Sequence, residues 1–166
     1  VQQNARIEIM IKAELVNISG TTGQFLSKIA VDKKMRSIRN GAFIIATGGK
    51  SIDTSAYEFG NNDAIITHNT LEAQLIDGTF TERIKSVVLI QCAGSREEPY
   101  NYCSKTCCIK NINNAIDIRE RFPTTEVFVF YRDIMTYGEN EKIYTQARRL
   151  GVIFIPFHPH QKPEVS

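Results

Sequence analysis

All four cysteines of this 166-residue chain lie between positions 92 and 108. They are Cys92, Cys103, Cys107 and Cys108. Thiolates are soft ligands that suit zinc, copper(I) and iron-sulfur clusters, and four of them close a tetrahedral metal site or hold a cubane cluster. Their grouping therefore predicts a metal or electron-transfer site.

The spacing of the cysteines bears on which metal they would hold. Structural zinc sites usually use two Cys-x-x-Cys pairs, and this sequence contains none. A cubane accepts less regular spacing, because its iron corners are separated and adjacent Cys107 and Cys108 can reach different irons. The sequence favours an iron-sulfur cluster. A zinc site and unligated structural or redox-active thiols stay open, since buried cysteine often acts as a small hydrophobe.

The elements that must position these cysteines follow from the pattern after Ser86. Strands are predicted over 87–91, 127–131 and 152–157, and helices over 108–121 and 140–150. This βαβαβ succession predicts an α/β fold with a Rossmann-like, doubly wound parallel sheet. Cys92 would then end the first strand, at the sheet edge where such folds place ligands. Cys107 and Cys108 would begin the next helix, whose dipole and free amides favour thiolate.

The first half of the chain has a different pattern. Strands predicted over 7–11, 13–18 and 24–31 form an antiparallel meander. The apolar run 42–46 predicts a buried strand that ends in a tight turn at Thr47, Gly48 and Gly49, where the backbone would approach a ligand closely.

The remaining segment reads as a connection. A short helix over 71–76 is predicted there, capped by Asn69 or Thr70 and ended by Gly78. We therefore expect three parts, 1–50, 51–85 and 86–166. The chain opens on a strand-like pattern with no initiator methionine, so we expect an internal fragment of a longer protein.

Composition excludes several classes of function. A net charge of +2, with Lys and Arg spread along the chain, gives no footprint for nucleic acid. No apolar run approaches the roughly 20 residues that span a bilayer, and the start of this sequence lacks the basic, apolar and small-residue succession that is typical of a signal peptide. The few, bunched cysteines fit a reducing compartment. We expect a soluble, cytoplasmic chain without membrane insertion.

A nucleotide site is a further candidate in the second half. Residues 91–96 occupy the place of a dinucleotide-binding loop, but of the three glycines that such a loop needs only Gly94 is present. Arg132 follows the second strand, where it can meet a ribose phosphate, although it lies farther from Gly94 than the usual unit requires. The sequence does not favour NAD(P) binding, and a solvated charge at a strand end is the other interpretation of Arg132.

Several segments together resemble a known family. They are residues 87–98 (VVLIQCAGSREE), 102–104 (YCS), 107–108 (CC), 131–134 (YRDI) and 137–138 (YG). Over residues 86–157 the chain resembles the A-type subunit of heterodisulfide reductase and related iron-sulfur flavoproteins. Residues 41–49 (GAFIIATGG) look like the strand that closes the first half of the flavin domain in thioredoxin-reductase-like enzymes, and residues 6–31 look like the meander before it.

The resemblance implies an FAD-dependent oxidoreductase that passes electrons through iron-sulfur clusters, in some relatives by splitting electron pairs at the flavin. It implies that the four cysteines ligate a 4Fe-4S cluster and that Thr47, Gly48 and Gly49 touch FAD in the full protein. Partners would be other redox subunits, of the heterodisulfide reductase, hydrogenase or dehydrogenase kind.

This sequence departs from the family pattern in three places. It lacks the amino-terminal G-x-G-x-x-G that grips FAD, the carboxyl-terminal half of both domains, and a cysteine-rich ferredoxin insert between residues 31 and 41. The fragment alone is therefore expected to bind FAD poorly and to be inactive.

Overall fold

The computed structural model describes residues 4–52 and 55–165. The chain divides into two compact units, Val1–Lys50 and Ser51–Ser166. The division into three parts, with a boundary at residue 85, stays a prediction. Among the helices of the described segments, none combines the length and apolarity that crossing a bilayer requires.

The first unit is a three-stranded antiparallel sheet in the order β1-β2-β3. Its strands are β1 (Ala13–Thr21), β2 (Gln24–Val31) and β3 (Lys34–Asn40). The first hairpin requires glycine at position 20, because φ is +100° there and an added Cβ would stand 2.2 Å from the Gln24 carbonyl oxygen. The second hairpin turns at Asp32 and Lys33, both with positive φ, the combination that matches the strand twist. An antiparallel meander is therefore present, as predicted, although only two of its three strands are the predicted ones.

Two strands predicted in this unit are wrong. Residues 7–11 and 42–46 form no strand, and the third strand of the meander is β3. The sequence did not indicate β3, because charged residues such as Lys34 and Arg36 interrupt the alternation of apolar and polar side chains. Ile44 and Ile45 are 93% and 86% exposed. An apolar run becomes a buried strand only where neighbouring strands take up its backbone hydrogen bonds, and within this sheet Gln24–Val31 already has a partner on each edge.

The second unit has the predicted α/β architecture. Its elements are α1 (His68–Asp77), β4 (Ser86–Ile90), α2 (Cys107–Arg121), β5 (Glu126–Tyr131), α3 (Glu141–Arg149) and β6 (Ile153–Pro156), with short 3-10 turns at Ala56–Glu58 and Gly138–Asn140. The sheet is parallel in the order β4-β5-β6, with Leu89 beside Val129 and Phe130 beside Ile155. The predicted fold class, a Rossmann-like parallel sheet preceded by an antiparallel meander, is confirmed.

The core of this unit lies between the sheet and its helices. Its buried apolar residues are Leu71, Leu75, Phe80, Leu89, Ile112, Ala115, Ile116, Ile118, Val127, Val129, Ala147 and Val152. Helix α2 contributes more of them than any other element and contacts both α1 and α3. Burial of this face fixes α2 against the sheet, so its first turn is held beside the end of β4.

Helix α1 shows how local chemistry sets an element's limits. The Thr67 hydroxyl accepts a hydrogen bond from the Thr70 amide at 3.1 Å, so Thr67 caps the helix and the predicted caps Asn69 and Thr70 are wrong. Gly78 ends the helix with φ of +79°, as predicted. The true cap lies before the apolar run begins, and it brings His68 into the first turn.

Candidate functional site

The first cysteine sits on a strained loop at the carboxyl end of β4. Gln91 continues the sheet, since its amide donates to the Phe130 carbonyl at 2.9 Å, and Cys92 follows with φ of +60°. Gly94 and Arg96 also have positive φ, at +69° and +60°. Such conformations cost free energy in residues other than glycine and cluster at functional sites. The chain therefore curls back at this edge and keeps the loop near the sheet.

The other three cysteines belong to the start of α2 and the turn before it. Cys103 accepts a hydrogen bond from the Lys105 amide at 3.3 Å, and Cys107 accepts one from the Ser104 hydroxyl at 3.3 Å. Cys108 is buried, with its sulfur 3.8 Å from the Asp133 carbonyl oxygen, whereas the other cysteines are half-buried. Cys107 and Cys108 are the first two residues of the helix, as the predicted site requires.

The four thiols lie near enough to act on one another electrostatically. Burial raises the pKa of Cys92, the nearby Arg96 guanidinium opposes that rise, and the charges of Cys107 and Cys103 add to it. The charges of Cys107 and Cys92 in turn raise the pKa of Cys108. The structure thus brings the sulfur atoms of the strand end and the helix start into one neighbourhood.

A hydrogen bond between Cys107 and Cys108 shifts the pKa values of the two thiols in opposite directions. The Cys108 thiol donates to Cys107, and with help from the Ser104 hydroxyl this lowers the pKa of Cys107 to about 5, although burial works against it. The same hydrogen bond and burial raise the pKa of Cys108. One thiolate is therefore present at neutral pH, and the pair releases its two protons in widely separated steps.

The site is a group of neighbouring thiols and not a finished metal cage. Within residues 4–52 and 55–165, no group of three or more His, Cys, Asp or Glu side chains is arranged to hold a metal ion. The donor set nevertheless suits a soft metal or an iron-sulfur cluster, because it offers four sulfurs and one preformed thiolate. Beside it, the buried atoms Gln91 Nε2, Asn111 Oδ1 and Arg132 Nε have no hydrogen-bond partner among the described residues.

The predicted nucleotide-contacting residues divide between the two units. Gly94 lies in the Cys92 loop, and Arg132 holds that loop by donating from Nη1 to the Arg96 carbonyl at 3.2 Å. Thr47, Gly48 and Gly49 lie in the first unit, in an exposed segment without regular secondary structure. Their roles toward FAD or NAD(P) stay predictions.

Sequence reasoning missed three residues around the cysteines. His68 is near enough to Cys107 for their charges to interact; burial and Lys110 lower the pKa of this histidine, and the Cys107 charge opposes them. Gln91 and Asn111 are almost fully buried polar side chains beside the site. Gln91 could have been found from the sequence, because a polar glutamine at the end of an apolar strand is unusual. His68 could not, because its position near Cys107 depends on the packing of α1 against α2, which no sequence pattern indicates.

Together these features define an α/β chain with a Rossmann-like parallel sheet and a four-thiol site at the carboxyl edge of that sheet. No known family profile matches the chain. Individual curated proteins do match it. It is 37% identical over 131 residues to the A-type subunit of the ferredoxin/F420H2-dependent CoB-CoM heterodisulfide reductase of Methanosarcina acetivorans, a match that covers 69% of this chain and 16% of the relative.

Two further relatives are the same subunit in other organisms. The A-type subunit of the H2:CoB-CoM heterodisulfide,ferredoxin reductase of Methanothermobacter thermautotrophicus is 32% identical over 74% of this chain and 21% of the relative. The iron-sulfur A-type subunit of the CoB-CoM heterodisulfide reductase of Methanocaldococcus jannaschii is 33% identical over 79% of this chain and 23% of the relative. The predicted resemblance is confirmed, since the chain is homologous to a part of this heterodisulfide reductase subunit. It spans between 16% and 23% of the length of these relatives.

Proposed function

We propose that this chain is the electron-transfer segment of an FAD-dependent iron-sulfur oxidoreductase, of the kind that the A-type subunit of heterodisulfide reductase represents. In this proposal Cys92, Cys103, Cys107 and Cys108 ligate a 4Fe-4S cluster. The observation that carries it is the convergence of all four cysteines of the chain at the end of β4 and the start of α2. One homologue is named as an iron-sulfur subunit, which supports an iron-sulfur cluster as the cofactor.

The chain's own groups suit the ligation of a negatively charged cluster. The free amides at the start of α2 and the Arg96 guanidinium beside Cys92 place positive potential next to the thiolates. Cys107 is already ionised at neutral pH, so one sulfur needs no proton removed before it binds iron. When bound, the cluster would supply one-electron transfer.

The rest of the proposal concerns the full-length protein. Thr47, Gly48 and Gly49 would contact FAD there, and Arg132 and Gly94 would shape the loop that carries Cys92. NAD(P) is not favoured, because the loop has one glycine of the three required. The homologues are named as subunits, which supports redox partner subunits. The few, bunched cysteines fit a cytoplasmic setting.

Anaerobic reconstitution of the chain with iron and sulfide tests this proposal. We expect four irons and four acid-labile sulfides per chain, and loss of both in Cys108→Ala, because a cubane needs all its thiolate ligands. Asn113→Ala, at an exposed position of the same helix, is the matched control and should retain the full count.

Three outcomes would contradict the proposal. A parent chain that takes up no iron, or a Cys108→Ala variant that retains all four irons, would remove the ligand assignment. Stoichiometric zinc with loss of thermal stability on chelation would show a structural metal domain in place of an electron-transfer segment.

A further inference from the structure

A pair of buried amides lies between the end of β4 and the start of α2. The side chains of Gln91 and Asn111 are only 1% and 5% exposed, and Asn111 Nδ2 donates to Gln91 Oε1 at 3.2 Å. After this bond, Gln91 Nε2 and Asn111 Oδ1 are left without partners among the described residues. Buried polar atoms are nearly always hydrogen-bonded in folded proteins, so an orphaned donor in this position calls for a missing acceptor.

The position of the pair indicates where that acceptor lies. Gln91 directly precedes Cys92, and the alternation of β4 turns its side chain to the face of Leu89, toward the helices. Asn111 lies three residues after Cys108, on the same face of α2. The two amides therefore connect the end of the strand that precedes Cys92 to the helix that begins with Cys107 and Cys108.

Asn111 also fixes the orientation of the glutamine. Because its amide nitrogen engages Gln91 Oε1, that oxygen is directed to α2 and only the nitrogen of Gln91 remains free to donate. An aliphatic side chain at either position would fill the same space without leaving polar atoms unpaired. The fold thus keeps a donor here that its own packing does not use.

We infer that Gln91 donates a hydrogen bond from Nε2 to a sulfur of the cluster site, with Asn111 as the residue that positions it. This inference rests on the proposed function and adds a determinant of the reduction potential to it. A reduced cluster carries one more negative charge than the oxidised one. A donor to its sulfurs stabilises the reduced form and raises the potential.

A redox titration of the anaerobically reconstituted chain, followed by electron paramagnetic resonance, tests the inference. Gln91→Met keeps the length of the side chain and removes the donor. We expect it to retain four irons and to have a lower potential. At the midpoint potential of the parent, its reduced-to-oxidised ratio should fall about tenfold, which corresponds to about 59 mV for one electron. A coupling from one exchangeable proton should also disappear from the spectrum.

Asn114→Leu is the matched control. Asn114 is another 5% exposed amide of α2, but its nitrogen already donates to the His68 carbonyl at 3.4 Å. Its loss should leave the potential and the exchangeable-proton coupling unchanged, so a general effect of removing a buried amide is separated from the specific one.

The double variant Gln91→Met/Asn111→Leu covers the case in which Gln91→Met alone unfolds because Asn111 has lost its hydrogen-bond partner. It removes both unpaired atoms, so without metal it should melt no lower than the parent, while its cluster shows the same lowered potential. A variant cluster with unchanged potential, or an equal shift in Asn114→Leu, would overturn this inference and leave the proposed function standing. A parent chain without iron would overturn both.

Discussion

Replacing Cys108 by alanine in the metal-free chain is expected to raise the apparent pKa of Cys107 and to slow its exchange with a disulfide reagent in mildly acidic solution. The largest cause of the low pKa of Cys107 is the hydrogen bond from the Cys108 thiol, and alanine cannot donate one. The Ser104 hydroxyl and the helix start remain, so the pKa should rise toward the ordinary cysteine value without fully reaching it.

The magnitude follows from two opposing effects on the rate. At pH 6 a thiol with a pKa of about 5 is mostly ionised, whereas an ordinary cysteine with a pKa of about 8.5 is less than about 1% ionised. A more basic thiolate is intrinsically more nucleophilic, but with a Brønsted slope of about 0.4–0.5 this recovers only part of the loss. A return to the ordinary value would slow exchange at pH 6 by about tenfold, and a partial return by less.

The measurement is a pH profile of the exchange rate at Cys107, resolved by peptide mass spectrometry because the other cysteines also react. Ser104→Ala removes a weaker donor and should shift the profile in the same direction by less. Cys103→Ala is the control expected to leave Cys107 unchanged, since Cys103 accepts from the Lys105 amide. Superimposable profiles for the parent and Cys108→Ala would refute the Cys108 hydrogen bond as the cause of the low pKa.

The second unit was largely predictable because its pattern and its packing agree. The predicted strands 87–91, 127–131 and 152–157 match β4, β5 and β6 within two residues at each end, and both crossover helices were placed correctly. Apolar alternation and the 3.6-residue period are local signals, and here each buried face matches the layer that it contacts. The sequence therefore located the cysteines relative to the sheet.

The first unit was less predictable for a physical reason. A strand depends on its neighbours, and the sequence does not state which segment will pair with which. Ile7, Ile9 and Ile11 alternate well but form no strand, whereas Lys34–Asn40 pairs along its whole length with β2. The positive φ values of Asp32 and Lys33 close that hairpin, and neither residue type announces such a turn as Asn-Gly would.

Within the candidate site, the sequence identified the sulfur atoms but not the groups that act on them. The low pKa of Cys107 depends on how the start of α2 orients the Cys108 thiol and the Ser104 hydroxyl toward it, which residue types alone do not report. The unpaired amides of Gln91 and Asn111 depend on tertiary contacts between the end of β4 and α2. Those contacts link residues 20 positions apart, a separation that no local period reports.

Replacing Arg119 by methionine is expected to destabilise the second unit strongly. Its guanidinium donates from Nε to the Leu150 carbonyl at 2.9 Å, and from Nη1 to the carbonyls of Pro123 and Thr125. These bonds join the end of α2 to the start of β5 and the end of α3. Methionine keeps the aliphatic contacts but leaves three carbonyls without their charged donor, so we expect a loss of about 2–4 kcal/mol in the free energy of unfolding.

Urea unfolding of the metal-free chain checks this, with the midpoint and the slope reported separately because only the midpoint should move. Arg119→Lys should recover little of the loss, since one ammonium cannot reach three carbonyls in the directions that the guanidinium does. Arg149→Met, at an exposed site of α3, is the matched control and should stay within about 0.5 kcal/mol of the parent. Equal midpoints for Arg119→Met and the parent would mean that apolar packing alone joins these elements.

Arg119 lies at the opposite end of α2 from Cys107 and Cys108. The folded fraction of Arg119→Met should therefore still bind iron as the parent does, which separates the stability of the fold from ligation at the site.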